Sequence, residues 1–255
     1  MNWRPNSAMI LGAGLGTRMR PLTEKMPKPM VPFHGRPLID HILDRMDAAG
    51  INEVVVNVHY LADVLEDHLA TRTSPKIKIS DERNELLDTG GGLTRALPLL
   101  GETPFLIHNS DSLSHETHGP NLDMLFDAWQ DDAMDTLLVL APISESLGYD
   151  GAGDFELGQD GRITRPLTSQ EVNQGASSGT SSGTSSRNGV PYVFTGLSLI
   201  HPRLFKDAPT GPFSLNKLWT KAMAEGRAYG ILHKGLWMHI GTPEALLEAE
   251  EATAK

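Results

Sequence analysis

The chain has 255 residues, 39% of them hydrophobic, and a formal net charge of -10. That length fits one large α/β domain or two small ones, and the acidic balance excludes a general nucleic-acid binder, which needs a basic face against phosphates. Cysteine is absent, which rules out disulfides and thiolate metal sites, and no apolar stretch approaches the roughly 20 residues that span a bilayer, so the expectation is a cytoplasmic protein that meets no membrane.

In chain order, Ala8–Leu11 reads as a short buried strand that ends in glycines, too short for the apolar region of a signal peptide. Pro37–Ala49 carries Leu38, Ile39, Ile42, Leu43 and Met46 at helical spacing, with Gly50 as its stop. Glu53–His59 is a β-branched strand, Leu61–Leu69 a helix, Lys76–Ser80 a strand and Gly92–Leu100 a helix. Phe105–Ile107 is a strand running into polar Asn109, Ser110 and Asp111; Asn121–Trp129 is helical and Thr136–Ile143 a strand. Strands separated by helices imply right-handed crossovers and a mostly parallel sheet. Farther on, Asp154–Leu157 and Arg162–Thr164 flank a turn and read as a hairpin. Gly175–Ser186 is of low complexity and reads as a mobile insertion, spanning about 169–189, inside one domain. Tyr192–Ile200 resumes as a strand, Ser214–Glu225 as a helix and Tyr229–Ile240 as strand material. Thr242-Pro243-Glu244 opens a terminal helix with Thr as its cap.

The chemistry concentrates between Leu11 and Lys28. Gly12, Gly14 and Gly16 follow a strand, where the chain can turn sharply and successive N–H groups can point at one anion. Arg18 and Lys28 add a planar fork and a point charge suited to phosphate oxygens. A dinucleotide loop would need glycines at a different spacing and an unbroken helix after them, but Pro21, Pro27 and Pro29 break it. A Walker loop would need Gly-Lys-Ser/Thr, which is missing.

Leu11–Arg18, Arg20-Pro21-Leu22-Thr23 and Pro27-Lys28-Pro29 together resemble the signature of the sugar-1-phosphate nucleotidyltransferases, the pyrophosphorylases that make NDP-sugars. The likeness continues through Gly35-Arg36-Pro37-Leu38, Leu87–Gly92, Asn109-Ser110-Asp111, Phe194-Thr195-Gly196 and Trp237–Glu244, leaving only the Ser/Gly insertion without a counterpart. It implies a single Rossmann-like α/β domain with a mostly parallel mixed sheet flanked by helices. The implied substrates are an NTP and a sugar 1-phosphate, with Mg²⁺ as cofactor; a monomer and a homodimer are equally compatible.

Residue by residue, the resemblance implies nucleotide contacts from Leu11, Gly12, Ala13, Gly14, Gly16 and Thr17, a second nucleotide loop at Gly91, and a base-reading side chain at Glu82. Arg18, Lys28 and Asp111 become the catalytic set, with Asp111 also the carboxylate for Mg²⁺. Asn109, Asp154, Glu156 and Thr195 fall on the sugar side, and Arg165 stands near where many relatives carry a lysine. His239 occupies the position of a second metal-binding Asp in many relatives; imidazole ligates metals but suits Mg²⁺ less well than carboxylate. Length and Leu87–Gly92 most resemble the N-acetylmuramate 1-phosphate uridylyltransferase branch of bacterial cell-wall recycling, implying UTP. A mannose- or heptose-1-phosphate guanylyltransferase is the alternative, and a non-catalytic nucleotide-binding homologue a further one.

Overall fold

The computed structural model describes residues 3–116, 120–166 and 190–254. The low-complexity segment lies outside them. The chain starts with β1 (Ser7–Leu11), followed by the short hairpin β2 (Pro32–Phe33) and β3 (Arg36–Pro37), then α1 (Leu38–Ala48), β4 (Glu53–Val58) and α2 (Ala62–Leu69). Next come β5 (Lys76–Asp81), α3 (Asp88–Leu100), β6 (Phe105–Asn109), β7 (Ser112–His115) and α4 (Asn121–Ala128). The middle holds β8 (Thr136–Pro142), β9 (Ser146–Leu147), β10 (Phe155–Leu157) and β11 (Ile163–Thr164). The chain closes with β12 (Pro191–Ile200), α5 (Asn216–Ala224), β13 (Ala228–Leu232), β14 (Leu236–His239) and α6 (Pro243–Ala252).

Nine of the described strands form one mixed sheet. Its main path runs β11-β10-β12-β6-β1-β4-β5, and β8 joins β12 to β13. β6, β1, β4 and β5 are mutually parallel, while β12 runs antiparallel to β6. The expected α/β domain with a mixed sheet is the fold that forms.

Period-two alternation places successive residues on opposite faces. Ala8, Ile10, Val54, Val56 and Leu106 pack with α1, α2 and α4 in one core, while Met9, Val55, Phe105 and Ile107 pack with α3 and α5 in the other. The stop signal at Gly50 works through backbone geometry. Gly50 takes φ 82°, its N–H donates to Asp47 O, and the Ile51 N–H reaches back to Met46 O, which closes α1. The Thr242 hydroxyl accepts from the Ala245 N–H, as expected of the cap of α6.

Two element boundaries depart from the sequence reading. Tyr229–Ile240 is not one strand: β13 adds to the large sheet, the chain turns at His233–Gly235, and β14 enters a separate sheet ordered β7-β14-β9. Gly235, at φ 103°, allows that turn. In addition, α3 begins four residues before the expected Gly92, so Asp88-Thr89-Gly90-Gly91 is its first turn rather than a loop.

Candidate active site

A cavity of about 640 Å³ opens at the C-terminal ends of β1, β4 and β6, where open α/β sheets place ligands. The Gly12–Gly16 segment leaves β1 and forms one wall. No protein acceptor meets the N–H groups of Ala13 to Thr17 among the described residues, so they remain available to an anion. Gly16 adopts φ 62°, and a methyl group there would lie 3.1 Å from the Thr23 side chain and 3.2 Å from Lys28 Cβ. The Thr23 hydroxyl donates to Gly16 O at 2.7 Å. The Pro21-Leu22-Thr23 and Pro27-Lys28-Pro29 segments therefore brace the glycine turn from behind and lay the Lys28 stem against it.

Lys28 is buried, and its Nζ meets Asp111 Oδ2 at 2.5 Å. Asp111 sits in the turn between β6 and β7, where its backbone carbonyl accepts from the Ile240 N–H. Burial alone would raise its carboxyl, but the Lys28 ammonium and the His239 ring outweigh burial and hold it below the ordinary carboxylate value. β14 pairs with β7 so that His239 stands opposite Ser112, which brings His239 Nδ1 to 3.8 Å from Asp111 Oδ1. Burial lowers the imidazole's pKa below its ordinary value, Asp111 opposes that, and Lys28 and Arg18 add to the lowering. Arg18 is exposed at the cavity rim and forms no ion pair among the described residues.

The cavity thus brings together Leu11, Ala13, Gly14, Gly16, Thr17, Arg18, Lys28, Glu82, Asn109 and Asp111, all singled out from the sequence. Other candidates stand elsewhere. The Gly12 N–H is not free; it donates to Asn57 Oδ1, and a Cβ on Gly12 would come 2.9 Å from Asn57 O. Gly91 faces away from the cavity. Its N–H and that of Gly90 both donate to Phe213 O, and a Cβ at Gly91 would lie 2.5 Å from Gly211 O. These glycines admit the 211–213 segment against α3 instead of presenting amides to a phosphate.

Glu82 is fully buried at the end of β5, and its carboxylate accepts from Asn57 Nδ2 and from the Leu87 N–H. Each oxygen thus already serves one donor inside the protein. On the far side, the Thr195 hydroxyl donates to Val139 O, at a bulge where β12 slips against β8 between Phe194 and Ser198, and the Trp237 indole donates to Thr195 O. Asp154 Oδ2 accepts from the Phe194 N–H, and Glu156 lies within β10. Arg165 covers the Phe155 ring at 4.1 Å and donates to Asn216 on α5. None of these sugar-side candidates lines the cavity. Sequence reasoning missed Asn57, although a polar residue inside Glu53–His59, otherwise β-branched, was a visible signal.

A family model for nucleotidyl transferases matches residues 7–255 of this sequence. The chain belongs to the nucleotidyl transferase family. It is 44% identical, over the full length of both chains, to an N-acetylmuramate alpha-1-phosphate uridylyltransferase of Caulobacter vibrioides. A protein of the same description from Neisseria meningitidis is 34% identical over 95% of this chain and 96% of its own. Among solved structures, an apo UDP-glucose pyrophosphorylase superposes with a TM-score of 0.75 over 98% of each chain at 16% identity, a likeness of fold. This nucleotidyltransferase is thus an enzyme of the sugar-1-phosphate class expected from its loop, acting on an NTP and a sugar 1-phosphate. No helix among the described residues is long and apolar enough to cross a membrane.

Proposed function

We propose that this nucleotidyltransferase joins UTP and N-acetylmuramate 1-phosphate to give UDP-N-acetylmuramate and pyrophosphate, in the cytoplasm and in the service of cell-wall recycling. The observation that carries the substrate choice is the 44% identity across the whole chain to a relative so named. In the cavity, the free amides of the glycine turn take the triphosphate and Arg18 neutralises it from the rim. Lys28 lies between glycine turn and Asp111, where it can neutralise the α-phosphate and the incoming sugar phosphate together. A sugar-phosphate oxygen attacks the α-phosphorus in line, the bond to the β-phosphate oxygen breaks, and pyrophosphate leaves with its electron pair. Phosphate oxygens are already anionic at neutral pH, so the site needs alignment and charge neutralisation and no general base.

Mg²⁺ fits this donor set. No cluster of three or more His, Asp or Glu side chains among the described residues could hold a cation, but Mg²⁺ is commonly held by one or two carboxylates, water and substrate phosphates. Asp111 Oδ1, the oxygen not taken by Lys28, and the His239 ring beside it would hold the ion, which when bound supplies further positive charge to the phosphates.

Pyrophosphate release measured for four NTPs against a panel of sugar 1-phosphates tests the reading. Turnover with UTP and N-acetylmuramate 1-phosphate should exceed every other pair by at least about tenfold. A preference for GTP with a mannose or heptose 1-phosphate, or nucleotide binding without turnover, would overturn it.

A further inference from the structure

Glu82 is the one fully buried carboxylate among the described residues that the reaction as described leaves without a task. It forms no ion pair among the described residues, and burial pushes its carboxyl above the ordinary value. A buried charge without a cation is costly, and a neutral residue would avoid that cost. A second local cost surrounds it. Gly92 lies inside α3, where glycine is unfavourable, and a Cβ there would come 2.6 Å from Glu82 Oε1. The helix therefore carries a glycine where the carboxylate lies.

The carboxylate's connections explain both costs. Oε1 accepts from Asn57 Nδ2 at 2.8 Å, and Asn57 Oδ1 in turn accepts from the Gly12 N–H at 2.8 Å. Oε2 accepts from the Leu87 N–H at the start of α3. His59 Nδ1 bonds Glu82 O and fixes the residue's own backbone. One buried group is thus tied to the root of the glycine turn and to the root of the Leu86–Thr89 segment, two stretches of backbone that both line the cavity. The Gly12 N–H requires an oxygen opposite it, so Asn57 must turn its amide nitrogen towards Glu82, and only an acceptor can stand there.

We infer that Glu82 is a positioning residue. Acting through Asn57 and Leu87, it fixes the spacing of the two walls that grip the nucleotide and touches no part of the nucleotide itself. The inference rests on the nucleotide-binding reading of the cavity. Because it acts on backbone, it applies to every base alike.

A reciprocal exchange tests it. In Glu82→Gln one amide hydrogen-bond donor faces another donor, and in Asn57→Asp two carboxylates face each other. The double variant Asn57→Asp/Glu82→Gln restores all three bonds: the new carboxylate accepts from the Gly12 N–H and from the new amide, whose oxygen accepts from the Leu87 N–H. Each single variant should weaken binding of all four NTPs at least about tenfold and by similar factors, raising KM for NTP more than it lowers kcat. The double variant should recover to within about threefold of the original protein.

Single variants with unchanged NTP affinity would overturn the inference, as would a double variant no better than the worse single, or a loss confined to one base. Amide hydrogen exchange in the unaltered protein gives a reading that needs no variant to fold. The Gly12 N–H should exchange as slowly as the centre of β1, and fast exchange there overturns the network. If the unaltered protein bound no NTP, the proposed function would fail, while Gly12 exchange would still decide whether Glu82 holds the turn.

Discussion

Along β1, β4, β5 and β6 the polar residues of interest lie at or just beyond the strand ends, whereas around β10 and β12 Asp154, just before β10, and Thr195, at the bulge of β12, are bound to neighbouring backbone. Asn109, Asp111 and the Gly12–Gly16 turn stand where the ladder runs out, so they can offer charge and amides to a ligand. Thr195 and Asp154 are already used: one satisfies a carbonyl at a bulge, the other receives a backbone N–H. Parallel strands end together on one side of the sheet and leave their following loops unpaired, which is why that half carries the cavity. The antiparallel half contributes a supporting wall.

The largest effect that sharpens this contrast comes from Lys28→Met. It removes the one ammonium buried between glycine turn and Asp111, and kcat should fall roughly a hundred- to a thousandfold. Steady-state pyrophosphate release is the measurement, with Glu156→Gln expected to stay within about threefold. Equal losses in the two variants would dissolve the distinction between the halves.

His108 stands at the seam, on β6 between parallel β1 and antiparallel β12. Burial, opposed by the bond to Asn109 O, pushes its imidazole down to about 4 from 6.5. Between those values the unfolded chain binds a proton that the folded chain refuses. Its contribution is therefore intact above pH 6.5 and declines as pH drops towards 4. The gap corresponds to about 3 kcal/mol. His108→Gln, which keeps a donor for Asn109 O, should lose about 2 kcal/mol less stability than the original between about pH 7 and 4.5, read from urea melts. Parallel pH profiles would show that the seam tolerates a charge.

Gly16→Ala tests how tightly the glycine turn is braced. A side chain in the left-handed region costs about 1–2 kcal/mol, and here the methyl group also meets Thr23 and Lys28. The melting temperature should fall, and KM for NTP should rise. Gly14→Ala, with open space around its Cβ, should change stability by less than about 1 kcal/mol.

These particulars show where sequence reading works. The Leu11–Lys28 turn was legible because glycine, proline and charge act there through local geometry, and Thr23 and Lys28 lie within reach of the glycines they brace. The helices α1 and α6 were legible from spacing and caps. What escaped depended on distant partners. Gly90 and Gly91 look like a phosphate loop until Phe213 O, from a segment remote in sequence, receives both amides. Asp111 and His239 were named together through the family resemblance, but the pairing of short strands β7 and β14 that joins them is too brief a pattern to read. Glu82 reads as a base-contacting side chain until Asn57 is seen bonded to it.

The smallest effect belongs to Thr195, where the contrast is most exposed to failure. Thr195→Val keeps the shape and removes the hydroxyl that serves Val139 O, leaving a buried carbonyl without its donor at the bulge. Such a loss costs about 1 kcal/mol or somewhat more. The melting temperature should drop by several degrees or less, since a change of about 1 kcal/mol in a chain of this size corresponds to about 2–4 °C. The Trp237 indole still reaches Thr195 O, so the wall beside His239 keeps its place and kcat/KM should stay within about threefold below the melt. The opposite pattern, an unchanged melt with KM for the sugar 1-phosphate raised more than about tenfold, would mean that this hydroxyl leaves the ladder to meet the sugar. The antiparallel half would then be part of the binding surface, and its role as mere support would be lost.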